Sequence, residues 1–109
     1  MVTREAIEET CREIVERYHP DKVILVGSYA YGTPHEDSDV DLLVVMPFQG
    51  SEIQKTIEMR LKLRPRYPLD LMVRTPERVS SRVALHDPFV TEIVRRGRML
   101  YEADHARVD

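Results

Sequence analysis

Three carboxylates stand in places where a carboxylate is expensive. Asp39 and Asp41 flank Val40 at the entrance of the apolar run Val40–Val45, and Asp70 sits inside Leu69-Asp70-Leu71-Met72-Val73. Alternate side chains of a strand share a face, so Asp39 and Asp41 point the same way, with Cα atoms roughly 6.7 Å apart, two rises of about 3.3 Å. An acid inside an apolar strand is costly unless it is paired or metal-bound. If the strand of Asp70 lies beside that of Asp41, the three acids can face one another, and their like charges raise at least one pKa. A divalent cation removes that conflict, and a two-metal site suits in-line phosphoryl chemistry. A set made only of carboxylates, without His or Cys, favours Mg²⁺, which takes oxygen ligands and keeps waters for substrate phosphates.

A second feature precedes the acids. Gly27-Ser28 follows the apolar run Val23–Val26. Glycine allows the backbone to approach a phosphate closely, the amides that follow can point at it, and the serine hydroxyl adds a donor. Either feature alone is common in turns; their conjunction is the informative signal. His35 reads as an exposed loop residue and His86 as part of a helix start. No Cys/His cluster has zinc spacing, and no Ser-His-Asp set is suggested.

The elements that must position these residues are legible from periodicity and punctuation. Residues 3–18 read as an amphipathic helix with Ile7, Cys11, Ile14, Val15 and Tyr18 on one face, ended by His19-Pro20. Lys22–Val26 and Val40–Val45 read as buried strands, with a turn or short helix between them. Ser51-Glu52-Ile53-Gln54 has the form of a capping box; the helix it opens presents Ile53, Ile57 and Leu61 on one face and stops before Pro65. Leu69–Val73 reads as a third strand. Thr75-Pro76 and Asp87-Pro88 each pair an N-cap with proline at the first helical position. The last helix is expected to turn Phe89, Ile93 and Val94 inward and to end at Gly97, before an edge strand over 98–102 and a frayed end. The order implies an α+β or α/β domain, a mixed sheet covered by helices.

With 109 residues the chain is expected to form a single domain over 1–109. The longest apolar run is far short of a bilayer span and no signal peptide opens the chain, so no membrane association is expected. The lone Cys11 reads as a buried structural thiol, consistent with a reducing cytoplasm. Residues 1–58 hold five Lys/Arg against twelve Asp/Glu, whereas residues 59–109 hold eleven against seven. The basic middle (Arg60, Lys62, Arg64, Arg66, Arg74, Arg78, Arg82) reads either as solvated helix faces or as a field that attracts triphosphate or an acidic partner. The net charge of −3 disfavours general nucleic-acid binding.

Together, Gly27-Ser28, ten intervening residues, and Asp39-Val40-Asp41 resemble the signature of the DNA polymerase beta-like nucleotidyltransferase superfamily. Length and flanking strands are similar to its minimal nucleotidyltransferases (MNT), the MntA-type antitoxin partners of HEPN toxins, over a motif core of about 20–102. The resemblance implies a polymerase beta-like fold, Mg²⁺ held by Asp39 and Asp41, ATP or another nucleoside triphosphate near Gly27 and Ser28, and Asp70 as third carboxylate, holding a second metal or taking the acceptor's proton. It further implies transfer of AMP to a tyrosine of a HEPN-domain partner. Transfer to a small hydroxylated molecule, and a non-catalytic antitoxin that only binds its partner, remain alternatives, and homo-oligomerisation stays open. The chain departs from many relatives at Tyr31, where they carry arginine, which removes a cation from that position.

Overall fold

The computed structural model describes residues 1–106. In chain order the elements are α1 (Arg4–Tyr18), β1 (Lys22–Val26), α2 (Ser28–Tyr31), β2 (Val40–Val45), α3 (Glu52–Leu63), β3 (Leu69–Arg74), α4 (Pro76–Ala84), α5 (Pro88–Arg96), β4 (Arg98–Glu102) and a 3₁₀ turn, Asp104–Ala106. The starts of α3, α4 and α5 are those the sequence marks, and Thr3 adds a cap to α1. Thr3 accepts from the Ala6 amide, Ser51 from Ile53 and Gln54, Thr75 from Arg78, and Asp87 from Phe89 and Val90. Each satisfies amides that the first helical turn leaves free. α1 and α3 close on left-handed residues, His19 (φ 48°) and Arg64 (φ 46°), directly ahead of Pro20 and Pro65. Residues 107–109, the last of the expected frayed end, lie outside the described residues.

The four strands form one mixed sheet in the order β3-β2-β1-β4. β1 pairs antiparallel with β2 and with β4, while β2 and β3 run parallel. β4 is an edge strand, as expected. One sheet face carries Val23, Leu25, Val40, Leu42, Val44, Leu69, Leu71 and Val73 against Ile7, Cys11 and Ile14 of α1 and Met59 and Leu63 of α3. The opposite face carries a smaller cluster of Val26, Leu43 and Val45 under Ile93 of α5, with Ile24, Met72 and Val79 packed around it. The fold is α+β, a mixed sheet flanked by helices.

Two helix faces differ from the sequence expectation. Ile53, Ile57 and Leu61 are exposed at 73%, 52% and 69%, and α3 instead buries Met59 and Leu63. Polar anchors rotate it: Glu52 pairs with Arg74 of β3, and Arg60 donates to the Leu69 carbonyl. Apolar periodicity does not count such anchors. In α5 only Ile93 is buried, while Phe89 and Val94 are exposed, because the cluster beneath is narrow enough to take a single row.

Candidate active site

Strand register assembles the acids. Val26 stands opposite Asp41 across β1 and β2, and Asp41 opposite Asp70 across β2 and β3, so the three form one row across the sheet. Adjacent strands lie about 4.8 Å apart, which brings the two carboxylates within reach of each other. Both belong to the face of the smaller cluster, since Asp41 alternates with Leu42 and Asp70 with Leu71, which point the other way. Val79 and Ile93 cover the middle of that face. At the acids it comes to solvent, with Asp41 half-buried and Asp70 exposed.

The Asp41 carboxyl is pushed above its ordinary range, first by burial, then by the charges of Asp70 and Asp39, and by a side-chain hydrogen bond with Asp70. Asp39 precedes β2 by one residue and is exposed. Its loop is folded by a reciprocal pair: the His35 amide donates to Ser38 Oγ and the Ser38 amide to the His35 carbonyl, both at 2.9 Å. Among the described residues, no three Asp, Glu, His or Cys side chains converge tightly enough to make a metal cluster as they stand. Asp41 and Asp70 form the close pair, and Asp39 acts on it through its charge.

Gly27 borders this pair. Its backbone lies at φ 70°, ψ −156°, a region essentially reserved for glycine. A Cβ there would run into Oδ2 of Asp41 and stand 3.1 Å from its Cγ. Gly27 therefore allows both the turn into α2 and the position of the Asp41 carboxylate. Its carbonyl accepts from the Ala30 and Tyr31 amides, closing the helix that starts at Ser28. The donor set suits a divalent cation: carboxylate oxygens only, one half-buried and raised in pKa by its neighbours' charge, a conflict that such a cation relieves.

The basic middle of the sequence divides in space. Arg64 and Arg66 line a hollow with Lys62, Glu9, Glu13 and Tyr67. Arg74, Arg78 and Arg82 instead line a cleft of about 260 Å³ floored by Leu43, Met72 and Ile93. Leu43 and Met72 are one pleat along from Asp41 and Asp70, so this cleft opens beside the acids. Glu52 meets Arg74 and Arg78 at 3.6 and 3.8 Å, and Asp87 meets Arg82 at 3.9 Å. The four-residue spacing of Arg74, Arg78 and Arg82 is the signal in the sequence that sets them apart from Arg64 and Arg66 within the basic middle.

Residues 6–98 match the Nucleotidyltransferase domain family. The chain belongs to that family. Domains of this family generally use a divalent metal. No curated protein matches the sequence. Among solved structures, the chain is similar to one from Sulfolobus solfataricus assigned as a nucleotidyltransferase, at 17% identity and TM-score 0.66, over 95% of this chain and 84% of that one. It is also similar to a toxin–antitoxin solved with AMP-PNP, at 19% identity and TM-score 0.57, over 90% of this chain and 75% of the other. A mutant of the toxin–antitoxin MntA–HpeT aligns at 17% identity and TM-score 0.52, over 95% and 77%. At these identities the likeness is one of fold. No helix among the described residues is long and apolar enough to cross a membrane.

Proposed function

We propose that this nucleotidyltransferase moves AMP from ATP to a hydroxyl of a partner protein, a tyrosine of a HEPN-domain toxin, and so acts as its antitoxin. The observation that carries the reading is the register that sets Asp70 beside Asp41, next to Gly27 and Ser28. The fold likeness to toxin–antitoxin chains, one of them solved with AMP-PNP, supports the partner.

Asp39 and Asp41 would hold Mg²⁺, with Asp70 at a second ion or free as a base. When bound, the cation neutralises phosphate charge and stabilises the leaving pyrophosphate. The protein groups do the rest. Gly27 opens the turn, and the Ser28 hydroxyl with the Ser28 and Tyr29 amides orients the triphosphate. Asp70, exposed on the acceptor side, takes the proton of the attacking hydroxyl. The new bond joins that oxygen to the α-phosphorus, the bond from the α-phosphorus to the bridging oxygen breaks, and pyrophosphate leaves.

The test is incubation of the protein with labelled ATP, Mg²⁺ and a HEPN-domain protein encoded beside it, followed by intact mass measurement. The partner gains AMP mass on a tyrosine only when Asp39 and Asp41 are present. An unmodified partner after long incubation, alongside turnover of a small alcohol or sugar, moves the acceptor to small molecules.

A further inference from the structure

A cation from α5 reaches the short helix that follows Gly27. Within α2, Tyr29 and Ala30 pack against the larger core cluster, which leaves Ser28 and Tyr31 on the helix's other side. Across that side lies Arg96, the last residue of α5. Its guanidinium carbon stands 4.5 Å from the centroid of the Tyr31 ring, and its Nη2 donates to the Tyr31 carbonyl at 3.4 Å. The two residues are 65 apart in sequence, so this contact is made by the tertiary fold. Glu92, one turn earlier in α5, receives Nη1 at 2.9 Å.

These partners fix the guanidinium without exhausting it. Arginine has five N–H donors, and the two hydrogen bonds occupy two of them. The Tyr31 ring lies beneath the guanidinium, and the side chain stays 53% exposed. Ser28 and Tyr31 are separated by less than one helical turn, roughly 5 Å along the axis. Phosphates seated on Ser28 therefore lie within the span of an arginine held over Tyr31. Arg96 also belongs to the helix that covers the carboxylate-bearing face, through Ile93. Tyr31 has no charge of its own; it acts as the platform on which a cation is presented.

We propose that Arg96, stacked on Tyr31, is the phosphate-positioning cation of the nucleotide site, binding the outer phosphates of the triphosphate. This rests on the nucleotide reading given above. A planar fork pairs two donors with a phosphate, and a ring that fixes its plane lowers the cost of ordering the side chain on binding. Glu92 acts as the competing anion that holds the fork until the triphosphate replaces it.

Isothermal titration of wild-type protein, Arg96→Gln and Tyr31→Ala with ATP and with AMP, both with Mg²⁺, separates the roles. Loss of one charge-assisted contact at a half-exposed site raises the Kd for ATP roughly tenfold in Arg96→Gln, while the Kd for AMP stays at its wild-type value. Tyr31→Ala shifts ATP in the same direction by a smaller factor, and Tyr31→Phe, which returns the ring, returns the affinity. An unchanged Kd for ATP in Arg96→Gln, or equal losses for ATP and AMP, overturns the proposal and leaves Arg96 as a staple between α5 and α2. Absence of ATP binding by the wild-type protein itself overturns the nucleotide reading, and this proposal with it.

Discussion

Replacing Gly27 by alanine drives a methyl group into Oδ2 of Asp41 at a backbone position of φ 70°, ψ −156°. Two costs add. Holding a residue with a Cβ in this region costs about 1–3 kcal/mol. The Asp41 side chain, half-buried on the central strand β2, must also leave its rotamer, for about 0.5–1.5 kcal/mol. The sum is roughly 2–4 kcal/mol, which in a domain of this size lowers Tm by on the order of 10–20 °C. Urea denaturation of Gly27→Ala, Asp41→Ala and the double variant apportions the two terms. The double variant keeps the backbone strain and loses the clash, so it is more stable than the two single changes summed by about 1 kcal/mol. A Gly27→Ala protein within about 0.5 kcal/mol of wild type, or strictly additive changes, would refute the claim that Gly27 exists to clear space for the Asp41 carboxylate.

Three further outcomes are expected. Burial, Asp70 and Asp39 raise the folded pKa of Asp41, so the native state holds that proton longer than the unfolded chain and wild-type stability falls as pH rises from the ordinary value of 3.8 through the raised one. Asp41→Asn, measured by thermal melts without metal, lacks that fall and is the more stable protein at neutral pH, the difference vanishing in acid. Asp70→Asn retains the Kd for ATP and loses about 10²–10⁴-fold in transfer rate, read by single-turnover assay with labelled ATP. Met59→Ala loses about 2–5 kcal/mol in urea denaturation, whereas Ile57→Gln stays within about 0.5 kcal/mol of wild type, because α3 buries the first residue and exposes the second.

The elements and their order were legible because their signals are local. Caps such as Thr75 and Asp87, prolines at helix starts and just past helix ends, and the apolar strand runs each act within a few residues. Placing Asp70 beside Asp41 needed one non-local assumption, that the second and third strands are neighbours, and the parallel pairing meets it. The orientation of α3 was not legible. Its apolar residues at 53, 57 and 61 form a regular stripe, but Glu52 and Arg60 bind β3 and turn that stripe to solvent. The arginine cleft and the Arg96–Tyr31 stack were equally hidden, since each joins residues that only the tertiary fold brings together.

In the proposed site, Asp39 and Asp41 bind the metal–nucleotide complex beside Gly27 and Ser28. Thermal melts of wild-type protein with Mg²⁺, with ATP and with both test this assignment most directly, because a ligand that binds only the native state raises Tm by mass action. ATP and Mg²⁺ together are expected to raise Tm beyond the sum of their separate effects, and Asp39→Asn with Asp41→Asn to remove that added rise while the protein still melts cooperatively. An added rise of the same size in the double variant would contradict the assignment.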